Sequence, residues 1–337
     1  MRESISVIGV VRYPDSITFA FNPNIVTVET TEDVKVKVGM YEDTREPFNG
    51  KVEFDISKYY QAFVTKDERH KVIQVTLESV SGSFTFSTLV IWGAISIGES
   101  WNEPHTVKWY KGKPFTFELY IPSDARLYAR YDSGSYVEIP TNVIGRGIVS
   151  IDPMVLWPDA SRQIVLRVDE GELRGVFDYT FDHTFNGMDA GQTLLYRIEV
   201  MDEEDECNGV YLRWIDWHGW QRYWMFKRGE RQDVVKLSTV TDVVLEAYGR
   251  SFKSEKVTDK SSSRVMKLCA PLVDDVTYEI LTGLVKSLNI EMRMKNGEWL
   301  PVNVDGQSMV RAADNVARPL NDFECTLLLP EVMIPRL

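Results

Sequence analysis

The residues with the clearest potential chemistry lie in one aromatic stretch, Tyr211 to Phe226. Within it, Trp217, Trp220 and Trp224 recur beside Arg213 and Arg222. Such a set does its work by ring stacking and cation–π contact, not by proton or group transfer. Trp217-His218-Gly219-Trp220 places His218-Gly219 at a turn, so outward pairing sets Trp217 beside Trp220 and Trp214 beside Tyr223. One face would then carry Arg213, Ile215, Trp217, Trp220, Arg222 and Trp224, and the other Leu212, Trp214, Asp216, Gln221, Tyr223 and Met225. Both faces are aromatic, so at least one packs inside the protein. The second face fits a subunit interface, further core, or a glycan-stacking platform. Tryptophan is more often buried than displayed, which favours core or interface.

Other chemistry is weakly represented. The acidic run Asp202-Glu203-Glu204-Asp205-Glu206 lacks the alternating ligands, central glycine and distal glutamate of a calcium-binding loop, and reads as a solvated turn. His70, His105, His183 and His218 have no zinc-ligand spacing. No nucleophile elbow, phosphate-binding loop or dinucleotide fingerprint occurs. A carboxylate pair for glycoside hydrolysis depends on separation in space, so its presence is left open. The expectation is a protein that is not an enzyme, with no cofactor and no metal.

The elements that must position the aromatic stretch are mostly strands. Val34, Val36 and Val38, then Ile73, Val75 and Leu77, then Phe84, Phe86, Thr88 and Val90 alternate at period two. Asn22-Pro23, Asn49-Gly50 and Ser81-Gly82 punctuate them. A short helix is predicted over 55–63, capped by Asp55 or Ser57. A longer one is predicted over about 274–288, where Asp274-Asp275 precede Val276, Ile280, Leu284 and Leu288 at helical spacing. Asn296-Gly297 marks a hairpin, Gly145-Arg146-Gly147 another, and Lys253 to Ser263 reads as an exposed polar loop.

The expected fold is mainly β: an N-terminal sandwich-like domain over 1–181, a linker over 182–192, and a smaller α+β domain over 192–337 with one helix on a sheet. At 337 residues two domains are the default. The net charge of −12 and the absence of a Lys/Arg run argue against nucleic acid. Cys207, Cys269 and Cys325 are too few and too scattered for a disulfide framework. No signal-peptide core and no apolar stretch long enough for a bilayer is seen, so neither secretion nor a membrane partner is expected.

Several segments resemble structural proteins of phages and prophages of gut Bacteroidetes. The likeness rests on Val210 to Phe226, Phe21-Asn22-Pro23-Asn24, Phe54-Asp55-Ile56-Ser57-Lys58-Tyr59, Leu89 to Ala94 and Val107-Lys108-Trp109-Tyr110. These patches cover a minority of the chain and include no catalytic signature. The resemblance implies a tail- or baseplate-associated protein that forms homo-oligomers, and meets other virion proteins, through β domains. Its location would be the virion, or the bacterial cytoplasm during assembly. No functional residue is carried over from the resemblance; the residue pairing itself makes the hairpin a buried joint of the second domain, with Arg213, Trp217, Trp220, Arg222 and Trp224 as its candidate contact surface. A glycan-binding or glycan-active protein is the alternative.

Overall fold

The computed structural model describes residues 1–96, 106–121, 125–132, 134–135, 137–139, 147–170, 194–201, 209–245, 251–305 and 320–333. The predicted linker over 182–192, the acidic run, His105, His183, Cys207 and the Gly145-Arg146 turn lie outside them. The chain is mainly β and divides into two units. The first comprises Met1–Glu203 with Ile215–Arg222, and the second Glu204–Trp214 with Tyr223–Leu337.

The first unit opens with a β-sandwich. Its strands are β1 (Arg2–Ser6), β2 (Gly9–Tyr13), β3 (Ile17–Phe19), β4 (Ile25–Glu29), β5 (Val34–Val38), β6 (Tyr41–Arg45), β7 (Lys51–Asp55), β8 (His70–Ser79) and β9 (Gly82–Ile91). One sheet runs β1-β2-β4-β7 and the other β3-β9-β8-β5-β6. The period-two pattern has its expected consequence: Val26, Val28, Val52 and Phe54 of one sheet meet Val36, Val38, Val75 and Leu77 of the other in a single buried cluster. The helix α1 (Ser57–Phe63) adds Tyr59 and Tyr60 to that core. Its N-cap is Ile56, which has no side-chain oxygen to offer; Asp55 instead accepts from the Ser57 amide at 3.0 Å.

Further strands of the same unit are β10 (Thr106–Tyr110), β11 (Phe117–Ile121), β12 (Ala125–Tyr131), β13 (Val137–Ile139), β14 (Gly147–Ile151), β15 (Gln163–Glu170) and β16 (Leu194–Met201). They form a five-stranded sheet, β10-β16-β15-β12-β13, and a β11-β14 pair. Trp109, Leu119, Leu127, Ile164 and Ile198 are fully buried. A one-turn helix, α2 (Pro153–Leu156), was not signalled by periodicity; Asp152 caps it by accepting from the Met154 amide.

The second unit is a closed barrel of β17 (Gly209–Ile215), β18 (Gln221–Leu245), β19 (Ser251–Val273), β20 (Ile290–Arg293), β21 (Trp299–Val304) and β22 (Asn321–Met333). Closure comes where β17 pairs with β20, Leu212 opposite Met292 and Trp214 opposite Ile290. The helix α3 (Asp275–Lys286) falls within the predicted span. The Asp274 carboxylate accepts from the Thr277 amide at 2.7 Å, and Tyr278, Leu281 and Leu284 are buried. Tyr278 meets Phe323 of β22 edge to face, with centroids 5.7 Å apart. Burying each such leucine is worth about 2 kcal/mol. The Asn296-Gly297 turn joins β20 to β21, with Gly297 at φ 89°.

One prediction is overturned here. Lys253 to Ser263 is not a loop but part of β19, paired with β18 from Leu245↔Ser251 inward with one register shift between Ser238 and Thr239. Its serines and lysines lack the alternation that marks a half-buried strand. A two-stranded ribbon needs no such alternation, because its backbone pairing does not require a core.

Candidate functional site

The aromatic hairpin joins β17 to β18, and its register differs from the predicted one by a residue. The Asp216 amide donates to the Trp220 carbonyl at 2.9 Å, and the Gly219 amide to the Asp216 carbonyl at 3.0 Å. Asp216 therefore faces Trp220, where Gln221 was expected. The cause is Gly219, whose φ of 85° adds a left-handed third residue to the loop. A one-residue slip exchanges the faces of one strand against the other. Leu212, Trp214, Trp224 and Phe226 accordingly share the barrel core. Arg213, Tyr211 and Tyr223 form a separate group, in which Tyr211 stacks on Tyr223 and Arg213 lies over Trp299.

The five predicted contact residues are thus dispersed. Trp224 is buried in the barrel core, and Arg213 pairs with Glu291 at 2.6 Å beside Trp299. Trp217, Trp220 and Arg222 belong to the loop end of the hairpin, which groups with the first unit. There Trp220 is buried with Ile17, Phe19, Ile91 and Ile148. Arg222 donates to Asp216 at 2.6 Å, both side chains being nearly inaccessible. Trp217 is half-buried, its ring 5.0 Å from that of His218. A glycan platform required Trp217, Trp220 and Trp224 to be displayed together; two of the three are buried.

Within the first unit the loop end is held chiefly through its main chain. Gly93 and Gly219 make this approach possible. A Cβ on Gly219 would stand 2.0 Å from the Trp92 carbonyl oxygen, and one on Gly93 2.5 Å from the His218 carbonyl carbon. The Ala94 amide donates to the Trp217 carbonyl at 2.7 Å. Arg69 and Glu118 complete the clasp. Arg69 donates through both terminal nitrogens to the buried Glu118 carboxylate, and also to the Gly219 carbonyl at 2.9 Å. Glu118 in turn accepts from the Gln221 amide at 3.1 Å and the Ser150 hydroxyl at 3.2 Å. Asp216 organises the loop from inside, accepting from the His218 and Trp220 amides as well as from Arg222. Each buried carboxylate has its partners, which is what keeps it tolerable away from water. Burial holds the His70 imidazole below its ordinary pKa against the opposing pull of Glu118.

Four segments noted for their resemblance meet here. Asn24 is buried: its side-chain amide donates to the Phe19 and Asn22 carbonyls, and its own amide donates to the Ser57 hydroxyl at 2.9 Å. Asn22 and Ile95 exchange two hydrogen bonds of 2.7 Å. The Phe21 amide donates to the Gly93 carbonyl, and its ring meets Trp92 edge to face. Phe21–Asn24, Phe54–Tyr59, Leu89–Ala94 and the hairpin end are thus linked segment to segment. Their types hinted at this only through the isolated glycines of Trp92-Gly93 and His218-Gly219.

The second notable feature is an arm. β18 and β19 continue past the barrel as a two-stranded ribbon. β17 lies against the opening of β18, while β19 pairs with β22 only as far as Ser261↔Met333. From Leu237 to Leu245 the two strands pair with each other, and among the described residues with no further strand. That length corresponds to about 30 Å at about 3.3 Å per residue. Both outer edges of the ribbon carry main-chain groups that another strand can meet.

Among the described residues no grouping of His, Cys, Asp and Glu is suited to hold a metal ion. No helix among them is long and apolar enough to cross a membrane.

No known protein family matches the chain, and no curated protein matches it. Among solved structures it is similar to a titin fragment described as "Anomalous substructure of Titin-A168169", with 14% identity and a TM-score of 0.22, covering 57% of this chain and 97% of that one. It is also similar to Sidekick-1 immunoglobulin domains 1-5, with 9% identity and a TM-score of 0.18, covering 76% of this chain and 54% of that one. Likenesses this remote carry no argument about role.

Proposed function

We propose that this chain is a non-enzymatic assembly protein that self-associates through its β-structure, of the kind that builds a phage tail or baseplate. The observation that carries the reading is the β18–β19 arm. A ribbon whose two edges meet no further strand among the described residues is a hazard for a protein that stays alone, because each edge templates pairing with another chain. Retaining about 30 Å of it is consistent with use as a pairing element. The tail-like part of the reading rests on the sequence resemblance alone.

Size-exclusion chromatography with light scattering tests the proposal. The intact chain is expected to form a defined oligomer. A variant in which residues 237–260 are replaced by an Asn-Gly turn is expected to run as a monomer with an unchanged thermal transition. A strict monomer for the intact chain at every soluble concentration defeats the proposal, as does an arm-less variant that assembles like the parent. Tail genes flanking the coding sequence would support the phage assignment, and their absence would count against it.

A further inference from the structure

The outer wall of the barrel carries a cationic aromatic cluster whose charge is incompletely matched. Trp299 of β21 is half-buried. The Arg213 guanidinium lies 4.2 Å and the Arg293 guanidinium 5.3 Å from its ring centroid. Tyr211 and Tyr223 flank the same ring at 6.0 and 6.5 Å. Glu291 neutralises Arg213 through a 2.6 Å bond. Arg293 has no carboxylate partner among the described residues; its contact is the indole face. An arginine stacked on an aromatic ring keeps its planar fork available at the edge, where it meets a carboxylate with two parallel bonds. Tryptophan, tyrosine and arginine are also the types that most often anchor protein interfaces.

The chain as a whole is strongly acidic, with 50 Asp and Glu against 38 Lys and Arg. Copies of it repel one another unless a local cationic patch offsets the surplus. We infer that the Arg293–Trp299 patch is a docking point for a carboxylate-bearing surface of a second copy of this chain. The inference rests on the self-association proposed above and names a contact within it. The arm supplies main-chain pairing without choice of partner, and the patch supplies charge-dependent selection.

The test is sedimentation equilibrium on the full chain and on two variants altering the same wall in opposite electrostatic directions. Arg293→Glu is expected to weaken self-association by about tenfold or more, a loss that shrinks as salt is raised. Glu291→Gln removes the carboxylate that neutralises Arg213 and is expected to strengthen association. A purely structural role for the cluster would make both variants weaker or leave both unchanged, and either result overturns the inference. A parent that assembles while Arg293→Glu assembles equally well removes the patch and leaves the self-association proposal intact. A parent that never assembles removes both. Circular dichroism of each variant against the parent separates loss of contact from loss of fold.

Discussion

The two ends of the aromatic hairpin are built on different principles. At the barrel end, Leu212, Trp214, Trp224 and Phe226 fill a core whose cohesion comes from apolar area and close packing. At the loop end, Trp220 is a large apolar anchor, and the rest of the hold comes from the close approach of Gly219 to the Trp92 main chain and of Gly93 to the His218 main chain, with Arg69–Glu118 and Asp216–Arg222. A packed core accepts substitutions of similar volume. A main-chain clasp with buried charges accepts almost none, because each partner removed strands another. The hairpin therefore combines a tolerant end and an exacting end within one stretch of sequence.

Truncation at the tolerant end should be the costliest single change. Trp214→Ala empties a fully buried site and is expected to lower stability by about 3–5 kcal/mol, read from the denaturant midpoint. Trp214→Phe should recover much of that loss; if it does not, the barrel end is as exacting as the loop end and the contrast collapses. Next comes Glu118→Ala, which leaves Arg69 mostly buried without its carboxylate and should cost about 3 kcal/mol. Amide exchange should then accelerate first at Ala94, Gly219 and Gln221. Uniform acceleration across the barrel strands would show that the clasp is not a separate unit of stability. Gly219→Ala combines a left-handed backbone with a direct clash and is expected to cost about 2 kcal/mol. A neutral outcome would mean that the loop relaxes away from Trp92 freely.

The smallest effect is one of pH. Burial pushes the Asp55 carboxyl upward, but hydrogen bonds from the Ser57 hydroxyl, the Ser57 amide and the Asn24 amide outweigh it and hold its pKa below the ordinary value. A depressed carboxylate contributes stability that is complete above its unfolded pKa and is lost as pH falls through the folded one. The parent should therefore weaken through the acidic range more steeply than Asp55→Asn. Parallel pH profiles would remove Asp55 from the account.

Much of the architecture was legible in the residues. Period-two runs gave the sandwich strands, and the Asp274 cap with Ile280 and Leu284 gave α3, because burial on one face leaves a regular imprint. The hairpin's existence was equally plain, yet its faces were misassigned. Register depends on whether Gly219 is a turn residue or an added left-handed one, and the dipeptide His-Gly serves both. The Ser/Lys stretch of β19 was misread as a loop because ribbon pairing is carried by backbone groups common to all residues. The clasp was illegible for a further reason. Arg69, Glu118 and Gly219 are far apart along the chain, and nothing in their types says that they meet.

The 25-residue course of β18 also has a mechanical consequence. Antiparallel hydrogen bonds lie perpendicular to the strands they join. A pull along the arm therefore loads the bonds between β19 and β22 side by side, in shear, and not one after another as in unzipping. Structures loaded in that way yield only when many bonds give together. If neighbouring molecules do grip the arm, the barrel from which it springs is strongest along the direction of that grip.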